Sequence, residues 1–173
     1  SESHLINYCR DLESFIIKSP TGYQDYIAAV RGGLNIITYP FGFPKVKTLT
    51  LNQYQALKEQ ILLVYSGQSR ASALNNWSVY KNFFSGDKQT VSTLKKIGSL
   101  AWQCSSHLEE LSFKEALHAS REEWELRKEL WPDIVTERTE YIDHLACLHG
   151  ASFTRVCGAG GGGVMAIFVK PSH

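Results

Sequence analysis

The sequence lacks the features that mark several large classes of protein. Its four cysteines, Cys9, Cys104, Cys147 and Cys157, form no C-x-x-C pair and no spacing typical of a zinc site or a disulfide-stapled scaffold. No apolar run approaches the roughly 18 residues that span a bilayer, and the N-terminus has no basic segment followed by an apolar one. We therefore expect reduced, mostly buried thiols, a cytoplasmic location and no membrane partner.

An excess of one charge is lacking as well. Lys and Arg number 18 against 17 Asp and Glu, a net charge of +1, which argues against a strongly basic nucleic-acid-binding protein. The charge is unevenly spread, because residues 109–143 hold eleven acids and five bases, a net −6, and the remainder is +7. Either the acidic segment is a solvated helical face, or the positive remainder meets an anionic ligand.

What is present is enough apolar material for one globular domain. The chain has 173 residues, 43% of them hydrophobic and 12% aromatic, which allows a sizeable core. Apolar residues at helical spacing predict a first helix that ends before Pro20. Thr21 and Gln24 have the spacing of a capping box, so a short helix is predicted from Gly22 to a Gly32-Gly33 turn.

The remaining pattern alternates strands and helices. Residues 34–39, 46–49, 152–157 and 164–169 are strand candidates, and the continuous apolar run 61–65 predicts a central strand buried on both faces. Residues 72–150 predict three or four helices with breaks near 85–87, at 112 and at 132–133. Further capping boxes are predicted at Thr50–Gln53 and Ser112–Glu115.

A glycine-rich loop between the last two strand candidates is the most conspicuous local feature. Five of the six residues 158–163 are glycine. Glycine lets a ligand or another backbone come close, with amides free to point at an anion. The loop is neither a Walker A loop nor a dinucleotide fingerprint, because no Gly-Lys-Ser/Thr follows and the next element is a strand. A plain glycine-rich hairpin with a bulge and a ligand-approach loop both fit.

Two other residues are candidates for chemistry. Asp25 falls in the first turn of the predicted short helix, where the helix dipole favours an ionised carboxylate that could accept or orient a hydroxyl proton; such an acid also simply stabilises a helix. Arg70 follows the predicted buried strand and could grip a phosphate or carboxylate, or lie in solvent. The six histidines form no metal-ligand pattern, so no metal site is expected.

Taken in order, three segments resemble the C-terminal portion of the GHMP kinases. Residues 22–29 followed by 32–35 are similar to the family's G-x-Q-D-Q-Y-A-A…G-G-L-N segment. Residues 62–72 are similar to its strand followed by T-G-x-S-R-x-S, and residues 156–163 are similar to its third motif. Within the family, the sugar kinases related to D-glycero-D-manno-heptose 7-phosphate kinase and to the kinase half of fucokinase look most similar.

The resemblance implies an α+β fold, a two-layer ferredoxin-like domain over residues 1–173 with a mostly antiparallel sheet of about four strands packed by helices. It implies an ATP-dependent sugar or sugar-phosphate kinase. Asp25 would act on the sugar hydroxyl, and the loop would lie near the triphosphate and substrate. The implied site residues are catalytic Asp25, substrate-binding Gly22, Tyr23, Gln24 and Arg70, and the loop residues Gly158, Ala159, Gly160, Gly161 and Gly162.

The departures from the family pattern also carry implications. The phosphate-cradling motif P-x-x-x-G-L-G-S-S-A does not occur in these residues, Tyr26 replaces a glutamine, and residues 152–155 differ from the usual G-G-K. The resemblance thus implies that ATP and Mg²⁺ are bound mainly by an N-terminal domain of the same protein, and that this chain alone is nearly inactive. A non-catalytic binding or regulatory module of the same fold is the alternative.

Overall fold

The computed structural model describes residues 1–69 and 75–169. Over these residues helices and strands follow one another in the order that the sequence predicts, with four helices between the third and fourth strands. The elements are α1 (Glu2–Ile17), α2 (Gln24–Arg31), β1 (Asn35–Thr38), β2 (Lys45–Thr48), α3 (Leu51–Lys58), β3 (Ile61–Tyr65), α4 (Asn75–Phe84), α5 (Lys88–Glu109), α6 (Phe113–Leu130), a 3-10 turn (Pro132–Ile134), α7 (Glu137–Leu148), β4 (Ala151–Val156) and β5 (Val164–Val169).

The chain divides into two compact units, Ser1–Ala56 and Leu57–His173. In the first unit α1 packs on α2, and β1 and β2 form an antiparallel hairpin in which Asn35 lies opposite Thr48. Gly32 and Gly33 connect α2 to the hairpin with φ of 63° and 66°, a left-handed conformation that favours glycine. The predicted Gly-Gly turn is therefore confirmed.

The second unit contains an antiparallel sheet in the order β3-β5-β4. The central strand is β5, whose residues 165–168 are all buried, whereas β3 lies at an edge of this sheet with Leu63 70% exposed. The prediction that residues 61–65 form a central strand buried on both faces is wrong. Both strands are continuous apolar runs, and periodicity alone does not tell which of two such strands is central.

The core of the second unit lies where the sheet meets the helices that follow α5. Trp124 of α6 and Ile134 of the 3-10 turn pack with Val156 and Met165 of the sheet. Beside them the rings of Phe153 and Phe168 stack with their centroids 4.3 Å apart. This core fixes the end of α6 and the turn after it against the two strands that flank the glycine-rich loop.

The helix caps agree only in part with the predicted capping boxes. The box at Thr50–Gln53 is present, with the Thr50 amide donating to the Gln53 side chain at 2.8 Å. Thr21 instead bonds to α1, and α2 begins at Gln24 with no side-chain cap. Ser112 makes no cap bond, whereas an unpredicted box at Thr136–Thr139 starts α7. Side-chain hydroxyls have competing partners, so spacing alone does not decide a cap.

None of the four cysteines forms a disulfide, and the prediction that they are mostly buried is wrong: three are partly buried and Cys147 is exposed. No helix within residues 1–69 and 75–169 is long and apolar enough to cross a membrane.

Candidate functional site

The predicted substrate segment lies at the start of α2, in the first unit. Tyr23 is the last residue before the helix, and its phenol oxygen accepts a hydrogen bond from Arg10 of α1. The Arg10 guanidinium lies 4.4 Å from the centre of the same ring, and the other contact of the ring is an edge-to-face one with Phe43. Gln24 folds back over Gly22. Tyr23 is therefore held from two sides, which fixes the entry to α2.

Asp25 lies in the first turn of α2 and is exposed. None of the described residues hydrogen-bonds its carboxylate, so both oxygens are available to a ligand. Its charge reaches two phenols. The pKa of Tyr39 is raised by partial burial and then by the charge of Asp25. The pKa of Tyr26 is raised by burial, by its hydrogen bond to Glu13 and by the charges of Glu13 and Asp25. Asp25 is thus an exposed carboxylate at the N-terminus of α2, near the phenols of Tyr26 and Tyr39.

The glycine-rich loop of the second unit packs backbone against backbone on the 3-10 turn. The Gly161 amide donates to the Ile134 carbonyl at 2.8 Å. A Cβ on Gly160 would lie 2.1 Å from Ile134 Cγ1 and 2.9 Å from the Ile134 carbonyl oxygen, and the φ of Gly160 is 83°. Because neither the conformation nor the space admits a side chain, this position requires glycine.

A second contact fixes the other end of the loop. The Gly163 amide donates to the Gln68 carbonyl at 2.9 Å, and a Cβ on Gly162 would come within 3.1 Å of that same oxygen. The Gln68 side chain accepts a hydrogen bond from the Thr136 hydroxyl at 2.9 Å. The loops after β3, before α7 and between β4 and β5 therefore meet at one end of the sheet.

Several amides at this meeting point remain unpaired. Within the described part of the chain, the amides of Gly158, Ala159 and Gly162 have no backbone acceptor, while residues 158 and 159 form a hydrogen-bonded turn that Gly160 closes. Arg138 brings a positive charge to the same loops, since its Nε donates to the Ser66 carbonyl at 3.2 Å. Unpaired amides beside glycines of positive φ, with the Arg138 guanidinium bonded to the same loops, are donors that suit an anion. The loop is therefore a packed hairpin connection with unpaired donors, and its role as a ligand-approach loop stays a prediction.

The sequence-predicted site residues fall into two groups. Gly22, Tyr23, Gln24 and Asp25 are contiguous in the first unit, residues 158–162 are in the second, and Arg70 lies outside the described residues. Sequence reasoning missed Ile134, Thr136 and Arg138, which carry no motif of their own. The only signal was the T-x-x-T spacing that starts α7.

Other chemistry finds no support in the described residues. They contain no group of three His, Cys, Asp or Glu side chains that could hold a metal ion. Burial raises the pKa of the Cys104 thiol, and burial together with Asp143 raises that of Cys147. Neither thiol is thus activated as a nucleophile, because activation requires a lowered pKa.

Known structures share this arrangement of elements. A Campylobacter jejuni protein assigned as a sugar kinase matches 99% of this chain and 48% of its own length, with a TM-score of 0.67 and 22% identity. The mevalonate kinase of L. major, solved with R-mevalonate, matches 87% of this chain and 44% of its own, with a TM-score of 0.70 and 18% identity. The fold is that of a GHMP kinase C-terminal domain. The predicted α+β fold class is thereby confirmed.

The sequence is also similar to part of a curated protein. Over 157 residues the chain is 26% identical to the bifunctional fucokinase/GDP-fucose pyrophosphorylase of Arabidopsis thaliana, a stretch that covers 88% of this chain and 15% of that protein. No protein-family model matches the chain. The chain therefore spans about half of the two solved structures and 15% of the curated relative. At 22% and 18% identity, the likeness to the solved structures shows the fold alone.

Proposed function

We propose that this chain is the C-terminal domain of an ATP-dependent kinase that transfers the γ-phosphate of ATP to a hydroxyl of a sugar or sugar phosphate. The observation that carries the proposal is the glycine-rich loop, which is held at both ends while three of its amides have no backbone acceptor among the described residues. Phosphoryl transfer depends mainly on positioning and charge stabilisation, and a rigid set of free amides meets that need. The fold likeness to a sugar kinase and the sequence likeness to a fucokinase support the choice of reaction.

In this proposal Asp25 accepts or orients the proton of the attacking hydroxyl. The residues before it, Gly22, Tyr23 and Gln24, line the sugar, and Arg70 contacts an anionic group of the substrate. Asp25 suits its role because its exposed carboxylate lies at the N-terminus of α2 and is open to a ligand. Heptose 7-phosphate and fucose are the sugars that the sequence resemblance favours.

MgATP supplies the phosphoryl group when it is bound. The unpaired amides of Gly158, Ala159 and Gly162 suit phosphate oxygens, and Arg138 adds a positive charge to the same loops. In this proposal Mg²⁺ and most of the nucleotide are bound by an N-terminal domain of the same protein, as the sequence resemblance implies. Such a domain is the partner of this chain, and the chain alone is expected to be nearly inactive.

The proposal is tested with the intact protein, MgATP and a panel of neutral sugars and sugar phosphates. Phosphorylation of at least one of them is expected. Asp25→Asn is expected to lower kcat by about 10²-fold or more, because loss of a general base or hydroxyl orienter has that size. The matched control is Asp87→Asn, which changes another exposed carboxylate at a helix N-terminus and keeps the cap of α5, so kcat should not change.

Two results would contradict the proposal. An unchanged kcat in Asp25→Asn removes Asp25 from the chemistry. Binding of a panel member without phosphate transfer by the intact protein, measured by calorimetry beside the kinase assay, favours the non-catalytic binding module instead.

A further inference from the structure

The second unit holds one buried carboxylate that the proposed reaction does not use. Glu123 of α6 is only 6% exposed. Its Oε1 accepts hydrogen bonds from Arg127 one turn later, at 2.8 Å for Nε, and its Oε2 lies 3.0 Å from Nη2 of Arg155 on β4. Arg155 also donates to the Ser120 hydroxyl at 3.1 Å. A buried carboxylate thus joins the last turns of α6 to the strand that enters the glycine-rich loop.

Arg127 of α6 connects Glu123 to the 3-10 turn on which the loop packs. The Arg127 guanidinium lies 5.6 Å from the centre of the Trp131 ring. Trp131 packs on the core that contains Ile134, and the Trp131 carbonyl accepts a hydrogen bond from the Ile134 amide at 2.9 Å. Ile134 is the residue that fills the space beside Gly160 and accepts from the Gly161 amide.

These contacts connect β4 to the 3-10 turn by two routes. One route follows β4 from Arg155 into the loop and crosses from Gly161 to Ile134. The other goes from Arg155 through Glu123 to Arg127, whose guanidinium lies over the Trp131 ring. Charge pairs of this kind contribute little net stability against an apolar replacement, but breaking one by removing a partner leaves an uncompensated buried charge. Their main effect here is on geometry, because they fix the end of α6 relative to β4.

We propose that Glu123 is a positioning residue of the glycine-rich loop: by pairing with Arg127 and Arg155 it holds the Ile134 carbonyl against Gly161. The importance of this role for phosphate transfer rests on the proposed function, whereas the positioning itself does not. Glu123 is buried and contacts two arginines rather than the amides of the loop, so it acts through its neighbours.

The test is site-resolved amide hydrogen exchange, measured by NMR on the ¹⁵N-labelled chain. Gly161 bonds to Ile134 on the side of the charge pairs, and Gly163 bonds to Gln68 on the opposite side. Local opening raises exchange only at the amides that it exposes, whereas global unfolding raises it everywhere. In Glu123→Gln, exchange at Gly161 is expected to rise at least tenfold, and exchange at Gly163 should stay within twofold.

Two variants accompany Glu123→Gln. Glu125→Gln on the same helix removes an exposed carboxylate that pairs with Lys128, and it should change neither amide. Arg155→Lys keeps the positive charge but loses the forked geometry of the guanidinium, so it should raise exchange at Gly161 and not at Gly163. It tests the proposal in place of Glu123→Gln if that variant does not fold.

Equal acceleration at Gly161, Gly163 and the β5 amides would show a purely structural role and overturn the proposal, as would unchanged exchange at Gly161. A titration with Mg²⁺ and inorganic triphosphate, followed by the amide shifts of residues 158–162, separates this outcome from the proposed function. Absent shifts count against phosphate binding by the loop, and selective acceleration at Gly161 supports the positioning role whether or not shifts occur.

Discussion

Replacing Gly160 by alanine tests whether the glycine-rich loop is fixed by its contact with the 3-10 turn. The new Cβ would lie 2.1 Å from Ile134 Cγ1 and 2.9 Å from a backbone oxygen, and the φ of 83° would have to be kept. A side chain in left-handed backbone costs about 1–2 kcal/mol, and overpacking a core costs about 1–3 kcal/mol more. The free energy of unfolding should therefore fall by about 2–5 kcal/mol in Gly160→Ala.

Gly161→Ala is the matched control. Its φ is 73°, but the nearest atom to its Cβ would be the Asp133 carbonyl oxygen at an ordinary 3.8 Å. It should therefore cost only the backbone strain, about 1–2 kcal/mol. Urea unfolding followed by tryptophan fluorescence measures both variants, since all four tryptophans lie in the second unit and the free energy falls linearly with urea.

Equal losses in the two variants would refute the reasoning, because they would show that the loop moves away from Ile134 at no cost. A double-mutant cycle with Ile134→Ala makes the test sharper. That change removes Cγ1, so Gly160→Ala should cost less in its presence, with a coupling of about 0.5–3 kcal/mol. A coupling of zero would mean that the two residues do not meet.

Two titrations test the electrostatics at the helix N-termini. Asp25→Asn removes a negative charge that raises the pKa of Tyr39, so the pKa of Tyr39 should fall towards its ordinary value. Ultraviolet titration of the phenolate measures this pKa, and the Tyr39→Phe variant assigns the signal. An unchanged pKa would show that Asp25 does not lie near Tyr39. Hydrogen bonds from Thr90 hold the pKa of Asp87 below its usual value, so its stabilising effect is present above the ordinary pKa of about 3.9 and is lost as the pH falls further. Urea unfolding should show Asp87→Ala less stable than wild type at neutral pH with the difference shrinking in acid, and a constant difference would contradict this assignment.

Most helices, strands and turns could be predicted from the sequence, because the preferences that decide them act between residues close together in the chain. The stop before Pro20, the Gly32-Gly33 turn and the strand that ends at Val169 follow from backbone preferences. The position of β3 in the sheet was not predictable in this way, since it depends on which strand β5 pairs with on each side. The caps at Thr21 and Ser112 failed for a related reason, because a hydroxyl takes whichever partner the tertiary structure brings near.

The candidate site divides in the same manner. Asp25 could be identified from its place at the start of a helix together with the resemblance to the GHMP kinases. Ile134 and Arg138 could not, because they come to the glycine-rich loop only through the packing of α6 and α7 on the sheet. Glu123 reads in the sequence as one acid among many in residues 109–143, and only its burial between two arginines distinguishes it.

The geometry also separates two causes of the glycine content of the loop, which sequence reasoning left open. At Gly160 packing excludes a side chain, because a Cβ would lie 2.1 Å from Ile134 Cγ1, whereas at Gly162 a Cβ would make a tight contact of 3.1 Å with the Gln68 carbonyl oxygen. At Gly161 a Cβ would make only an ordinary contact of 3.8 Å, so glycine is favoured there through its φ of 73°. A regular turn pairs its amides, whereas those of Gly158, Ala159 and Gly162 have no backbone acceptor among the described residues. A ligand that accepts hydrogen bonds from these amides would offset this loss, and an anionic oxygen is a strong acceptor for backbone amides.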